Sequence, residues 1–181
     1  MSAWQFKVKL LPAEGAITLH RGISRQLLIG QVSERVLRDK FDTLQHGCDE
    51  LPGHWDGFPE LKALETAIGE LLPERKSWSE LARMFGIHGE DDVEIWRTEA
   101  GSLSRISLSF SLRDPNFKYI QSALACASIF KCVFLGIQSG VMFSPSVVEF
   151  VTHAEKCSAA RFIPTEKQLS SMIANSEDSP K

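Results

Sequence analysis

The sequence predicts an α+β domain, an antiparallel sheet with helices packed mainly on one face in a two-layer sandwich. Three observations carry that reading. Ile106, Leu108, Phe110 and Leu112 alternate without a break against Arg105, Ser107, Ser109, Ser111 and Arg113, the period of a long strand with one wet face. Two connections, Glu99 to Ser102 and Gln138-Ser139-Gly140, carry the glycine expected of hairpins, and hairpins imply an antiparallel sheet. The remaining periodic segments are helical, and gathered on one face they give two layers rather than a doubly wound fold; no repeat or low-complexity tract argues otherwise.

Taken in order, Phe6, Val8 and Leu10 alternate with Gln5, Lys7 and Lys9, which predicts a half-buried first strand. Pro12 to Gly15 reads as a turn, Ala16 to His20 as a partner strand, and Ile23 to Ile29, bracketed by Gly22 and Gly30, as a segment of open state. Val32, Val36, Leu37, Phe41 and Leu44 form a helical stripe that Gly47 ends. The Gly47 to Pro59 segment reads as a loop, and Leu61, Leu64, Ile68 and Leu71 mark a second helix closed by Pro73.

Ser77-Trp78-Ser79-Glu80 has the form of a capping box opening a short helix through Leu81, Ala82 and Phe85, with Gly86 as its stop. Val93 and Ile95, set against Asp92, Glu94 and Trp96, predict a strand antiparallel to the 106–112 strand. Asp114-Pro115 places a helix start before Phe117, Ile120, Leu124 and Ala127, running to about Lys131, because a proline at the first helical position wastes no N–H. Cys132 to Ile137 and Val141 to Phe143 form the second hairpin. Ser144-Pro145 caps a helix bearing Val147, Val148, Val151 and Ala154, and Thr165 with Gln168 caps a last one through Leu169, Met172 and Ile173. The domain is expected over 1–175, with 176–181 a frayed polar tail.

The 181 residues fit one domain, and a 43% hydrophobic content fills a continuous core. With 20 basic against 23 acidic residues and neither sign in a block, nucleic acid is not an expected partner, since tracking phosphates requires a basic stripe. The apolar stretch around Leu124 to Ile137 is interrupted by Lys131 and too short for a membrane span, and the N-terminus has no secretory pattern. Cys48, Cys126, Cys132 and Cys157 show no C-x-x-C spacing and are expected as free, largely buried thiols in a reducing cytoplasm.

Four constellations are candidates for chemistry. The loop from His46 to Phe58 offers His46, Cys48 and His54, the ligand types zinc prefers, but at no standard spacing; the competing reading has Trp55 and Phe58 plugging into the core. Cys48 beside either histidine lacks a third group to orient a nucleophile and base. Asp91, Asp92 and Glu94 suit acid–base or hard-cation chemistry, against which stands cross-strand pairing with Arg105 or Arg113. Trp96, Arg105, Ser107, Ser109, Ser111 and Arg113 make a polar sheet face suited to docking a partner, with aromatic and arginine anchors among hydroxyls. Trp4, Trp55, Trp78 and Trp96 are too widely spaced for one stacking platform and read mostly as core anchors.

No G-x-G-x-x-G, G-x-x-x-x-G-K, H-E-x-x-H or G-x-S-x-G is present, which argues against an enzyme and calls for no cofactor. The run Asp91-Asp92-Val93-Glu94-Ile95-Trp96, the hairpin, and Ile106 through Leu112-Arg113-Asp114-Pro115 resemble a pattern in small bacterial proteins of unknown function, some similar to immunity proteins of toxin systems. The resemblance covers about the second half of the chain, brings no catalytic residue, and implies a toxin as partner. The expected function is thus a non-enzymatic, cytoplasmic protein-binding domain. Alternatives are a metal-dependent enzyme or metal-binding protein using the 46–56 loop, and a structural or assembly subunit that forms homo-oligomers.

Overall fold

A computed structural model describes residues 4–13, 55, 57–139 and 141–157. Its elements run β1 (Gln5–Pro12), α1 (Leu61–Gly69), β2 (Glu74–Arg75), β3 (Ala82–Gly86), β4 (Asp92–Arg97), β5 (Leu103–Ser111), α2 (Phe117–Ile129), β6 (Cys132–Gly136), β7 (Met142–Phe143) and α3 (Val147–Lys156). The strands form one antiparallel sheet in the order β2-β3-β4-β5-β1-β6-β7. The chain has the predicted α+β architecture.

Both predicted hairpins are present. β4 turns into β5 through a loop in which Thr98 N–H donates to the Ser102 carbonyl and Gly101 takes a φ of 84°, a left-handed conformation that favours glycine. β6 pairs with β7 through Phe134 and Phe143. β1 lies between β5 and β6, so its partners come from far along the chain, and the turn expected at Pro12 to Gly15 runs out of the described residues after Ala13. Pro12, which has no N–H to give, closes the strand, and Ala13 N–H reaches the Lys131 carbonyl instead.

The apolar side chains of β1, β4 and β5 face the described helices. Phe6, Val8, Leu10, Val93, Ile95, Ile106, Leu108 and Phe110 join Leu64 and Ile68 of α1, Ile120, Ala123, Leu124 and Ala127 of α2, and Phe150, Val151 and Ala154 of α3 in one buried cluster. Phe150 sets its edge against Phe6 at 5.3 Å and against Phe110 at 4.9 Å, and Tyr119 lies 5.0 Å from Phe110. Each fully buried Phe contributes about 1.5–3 kcal/mol of burial free energy, so this aromatic group fixes α2 and α3 to the middle of the sheet.

α2 and α3 start where a side chain satisfies an open N–H group. Asn116 caps α2 by accepting from Tyr119 N–H at 3.1 Å, and Ser146 caps α3 by accepting from Glu149 N–H at 3.3 Å. Both starts fall later than expected: Pro115 precedes the cap of α2 rather than opening the helix, and Ser146 rather than Ser144-Pro145 caps α3. In each case the residue after the proline carries the oxygen that can bond back. α1 follows its predicted stripe, with Leu64 and Ile68 one turn apart and buried.

The helix predicted over Leu81 to Phe85 is instead strand β3, paired with β4 from Ala82 opposite Trp96 to Gly86 opposite Asp92. So few residues make a poor isolated helix, whereas pairing with β4 satisfies the backbone and buries Ala82 and Met84 on one face and Phe85 on the other. The serines that resembled a capping box form turns: Ser79 N–H donates to Ser77 Oγ at 3.1 Å and Leu81 N–H to Ser79 Oγ at 3.2 Å. Gly86, at φ 77°, is required because a Cβ there would lie 2.2 Å from the Asp91 carbonyl.

The expected elements over 16–20, 23–29, 32–47 and 165–173, and the 176–181 tail, lie outside the described residues. No described helix is long and apolar enough to cross a membrane.

Candidate functional site

The β3, β4 and β5 register places Trp96 between Ala82 and Arg105. Trp96 is held on several sides. Its indole N–H donates to Glu94 Oε2 at 2.9 Å, the Arg105 guanidinium lies 5.1 Å over its ring, and Arg105 reaches the same Glu94 carboxylate at 3.7 Å. On the Ala82 side, the turn built by Ser77 and Ser79 delivers Trp78, whose ring meets Trp96 edge to face at 5.2 Å. Trp78 is 76% exposed, and Leu81, also exposed, is tied in by Arg97 N–H donating to its carbonyl at 2.8 Å. The result is an exposed Trp78 ring seated on Trp96, which Glu94 and Arg105 hold in place, with exposed Leu81 three residues further along the chain.

Of the residues expected on the docking face, Trp96 and Arg105 are neighbours in this cluster, and the others lie elsewhere or are buried. Ser107, Ser109 and Ser111 were expected to face water, yet they are 9%, 2% and 6% exposed. Gln5, Lys9, Leu11, Met84 and Asp92 on the same side of the sheet are buried as well, so this face is closed to solvent in the middle of the sheet. A serine between longer cross-strand neighbours, as Ser107 is between Lys9 and Glu94 and Ser109 between Lys7 and Asp92, lies below their tips. Arg113 also leaves the cluster: it sits past the far end of β5 from Arg105, roughly 25 Å away at the rise of an extended strand, with its guanidinium 5.5 Å over Trp4.

Of the three carboxylates singled out, Glu94 supports Trp96 and makes the expected cross-strand pair with Arg105, reached diagonally because Ser107 stands directly opposite it. Asp92 is 1% exposed and takes a hydrogen bond from Gln5 Nε2 at 3.3 Å, while the Tyr119 hydroxyl donates to its backbone carbonyl at 3.1 Å. Asp92 thus ties β1, β4 and α2 together rather than facing a substrate.

Asp91 differs. It lines a cleft of about 450 Å³ between the β3–β4 turn and the residues after β5, with Trp4, His88, Glu90, Arg113 and Asp114 around it. Its Oδ1 accepts from Ser111 N–H at 2.7 Å, and the Asn116 side chain also bonds to it. Burial outweighs those bonds and pushes its carboxyl from an ordinary 3.8 up to about 6.

The metal candidates His46, Cys48 and His54 lie outside the described residues. Two of the loop's aromatics do not: Trp55 is buried in the core cluster and Phe58 packs against it, 5.6 Å away in a T-shaped pair, the anchoring role read for them from the sequence. Among the described residues no group of three His, Cys, Asp or Glu side chains is placed to hold a metal ion. Cys126 and Cys132 are free and buried, and burial pushes their thiols up to about 11 and about 12. Of the four tryptophans only Trp55 is a core anchor, which corrects the expectation for Trp78, Trp96 and Trp4.

No family model, curated protein or solved structure matches the chain.

Trp78 and Leu81 are not among the candidates the sequence offers, because their segment has the pattern of a helix. The available signal was a tryptophan flanked by serines, a sequence that favours local side-chain-to-backbone turns and presents the ring between them. The cleft was missed because its walls come from segments distant in the chain, Trp4, 88–91 and 111–114.

Proposed function

We propose that this chain is a non-enzymatic protein-binding module that docks its partner on Trp78 and Leu81, supported by Trp96 and Arg105. The observation that carries the reading is Trp78, exposed yet seated edge to face on a tryptophan that is itself bonded to Glu94 and covered by Arg105. Trp and Arg dominate binding hot spots because one side chain buries a large area at little entropic cost, and a ring already held in place loses less freedom on binding. A core tryptophan would be covered by its own chain; this one offers its surface outward.

The partner we propose is another protein of the same cell, in the manner of the immunity proteins that the 91–115 segment resembles. The free thiols of Cys126 and Cys132 support placing the pair in the reducing cytoplasm. The test is site-directed photo-crosslinking in the native host, with the reactive group at Leu81 and, as a control, at exposed Lys118 of α2. One protein captured in stoichiometric amount from position 81 and absent from position 118 is the expected result. Equal capture from both positions, or none from either, overturns the docking surface. Capture of a second copy of this chain replaces the proposed partner with self-assembly.

A further inference from the structure

Resting on the docking surface above, we propose that Arg75 extends it: the partner presents an aspartate or glutamate carboxylate, and Arg75 takes it in two parallel hydrogen bonds from Nε and Nη2. β2 pairs Arg75 with Met84, and Met84 stands opposite Glu94, so Arg75 shares a side of the sheet with Glu94. Ala82 and Trp96 lie on that same side two residues along β3 and β4, a step of about 7 Å in an extended strand. Trp78 follows Arg75 by three residues and packs on Trp96, so Arg75 borders the tryptophan pair.

The state of its guanidinium separates Arg75 from an ordinary surface cation. Nε and Nη2 are shielded from water and have no hydrogen-bond partner among the described residues. A charged donor taken out of water without a partner is costly, and native structures hold few such groups. The carboxylates closest in the register are engaged elsewhere, Glu74 by Arg83 and Glu94 by Trp96 and Arg105. The Arg83–Glu74 pair shows what this edge of a guanidinium does when an acid is supplied, Nε donating to Oε1 at 2.9 Å and Nη2 to Oε2 at 3.0 Å. That pair is exposed, so it contributes little. Arg75 has less water left to lose, and the same two bonds count for more there.

The occupant is a carboxylate because one guanidinium fork matches a planar, singly charged group, whereas a phosphoryl group with nearly two charges calls for a cluster of arginines. Access comes from the topology. β2 is the edge strand and two residues long, so half-buried Arg75 stands at the perimeter, and a rotamer change of the kind common on binding turns its fork toward an arriving partner. Two opposite effects follow from one substitution. Arg75→Met keeps most of the apolar stem and removes the unpaired charge, so the free protein gains stability while the complex loses it.

The experiment measures both effects on the whole chain: thermal unfolding of free wild type and Arg75→Met, and calorimetry of the protein captured at Leu81 against wild type, Arg75→Met, Arg75→Lys and Trp78→Ala. The expected result is a higher Tm for Arg75→Met, with binding weakened about tenfold or more in Arg75→Met and in Arg75→Lys, since lysine carries the charge without the fork. A Tm below that of wild type shows that the chain itself supplies the acid, and overturns the proposal. Affinity within twofold of wild type for Arg75→Met, with Trp78→Ala still weakening binding, overturns it and leaves the docking surface standing. Unchanged affinity in both variants, or no protein captured at Leu81, removes the docking surface and this proposal with it. Loss of binding after phosphatase treatment of the captured protein puts a phosphoryl group in place of the carboxylate and overturns the assignment as well.

Discussion

Trp78 meets Trp96 edge to face with ring centroids 5.2 Å apart, yet Trp78 keeps 76% of its surface in water. A contact of this kind holds the outer ring in place without enclosing it. Edge-to-face aromatic pairs contribute about 0.5–1.5 kcal/mol, so Trp78→Ala is expected to cost no more than about 1.5 kcal/mol of stability. Urea unfolding followed by circular dichroism checks this, and a loss comparable to that of a buried aromatic would show Trp78 to be a core residue.

The caps give a second prediction. Asn116, not Pro115, closes the first turn of α2, so Asn116→Ala should lower stability by about 1 kcal/mol. Pro115→Ala should have a smaller effect, because that residue lies before the cap. Paired denaturation curves for the two variants decide which position starts the helix.

The thiols give a third. With their pKa values pushed up to about 11 and about 12, Cys126 and Cys132 stay protonated and enclosed at pH 8, and the thiolate is the form that reacts. Iodoacetamide followed by peptide mass spectrometry should find both unmodified in the folded protein and both alkylated after unfolding in urea. Labelling of either in the folded state would contradict the burial described.

Asp91 gives a fourth, with a definite sign. Its folded pKa, about 6, lies above its ordinary 3.8, so the folded state binds a proton more readily than the unfolded one does. Its contribution to stability is therefore fully present below about pH 4 and lost as pH rises through about 6. Asp91→Asn removes that fall, and comparing Tm for wild type and variant between pH 4 and pH 7 should show a flatter profile in the variant.

The parts of the fold legible in the sequence were those in which one face is apolar and the neighbour in space is also the neighbour in sequence. β4 and β5 show this, since Val93, Ile95, Ile106 and Leu108 alternate cleanly and one short turn joins the strands. β3 did not, because Ala82, Met84 and Phe85 are buried on both faces and leave no period to read. The place of β1 between β5 and β6 depends on pairings across most of the chain, which no local pattern records. The serine row misled for a related reason: hydroxyls imply water, whereas Ser109 lies between Lys7 and Asp92, with Asp92 buried by contacts from β1. Of the proposed docking cluster, Trp96 and Arg105 are legible in the sequence, whereas Trp78 is not, because its segment is a turn leading into a strand rather than the helix its pattern predicts.

The most direct test of the docking site is the affinity of the protein captured at Leu81, measured by calorimetry with purified components against wild type, Trp78→Ala and Arg105→Ala. A hot spot costs about 2 kcal/mol or more when truncated, so Trp78→Ala should weaken binding about 30-fold, and Arg105→Ala should weaken it as well. Affinity within twofold of wild type for Trp78→Ala, in a variant that remains folded, would contradict the assignment of this surface.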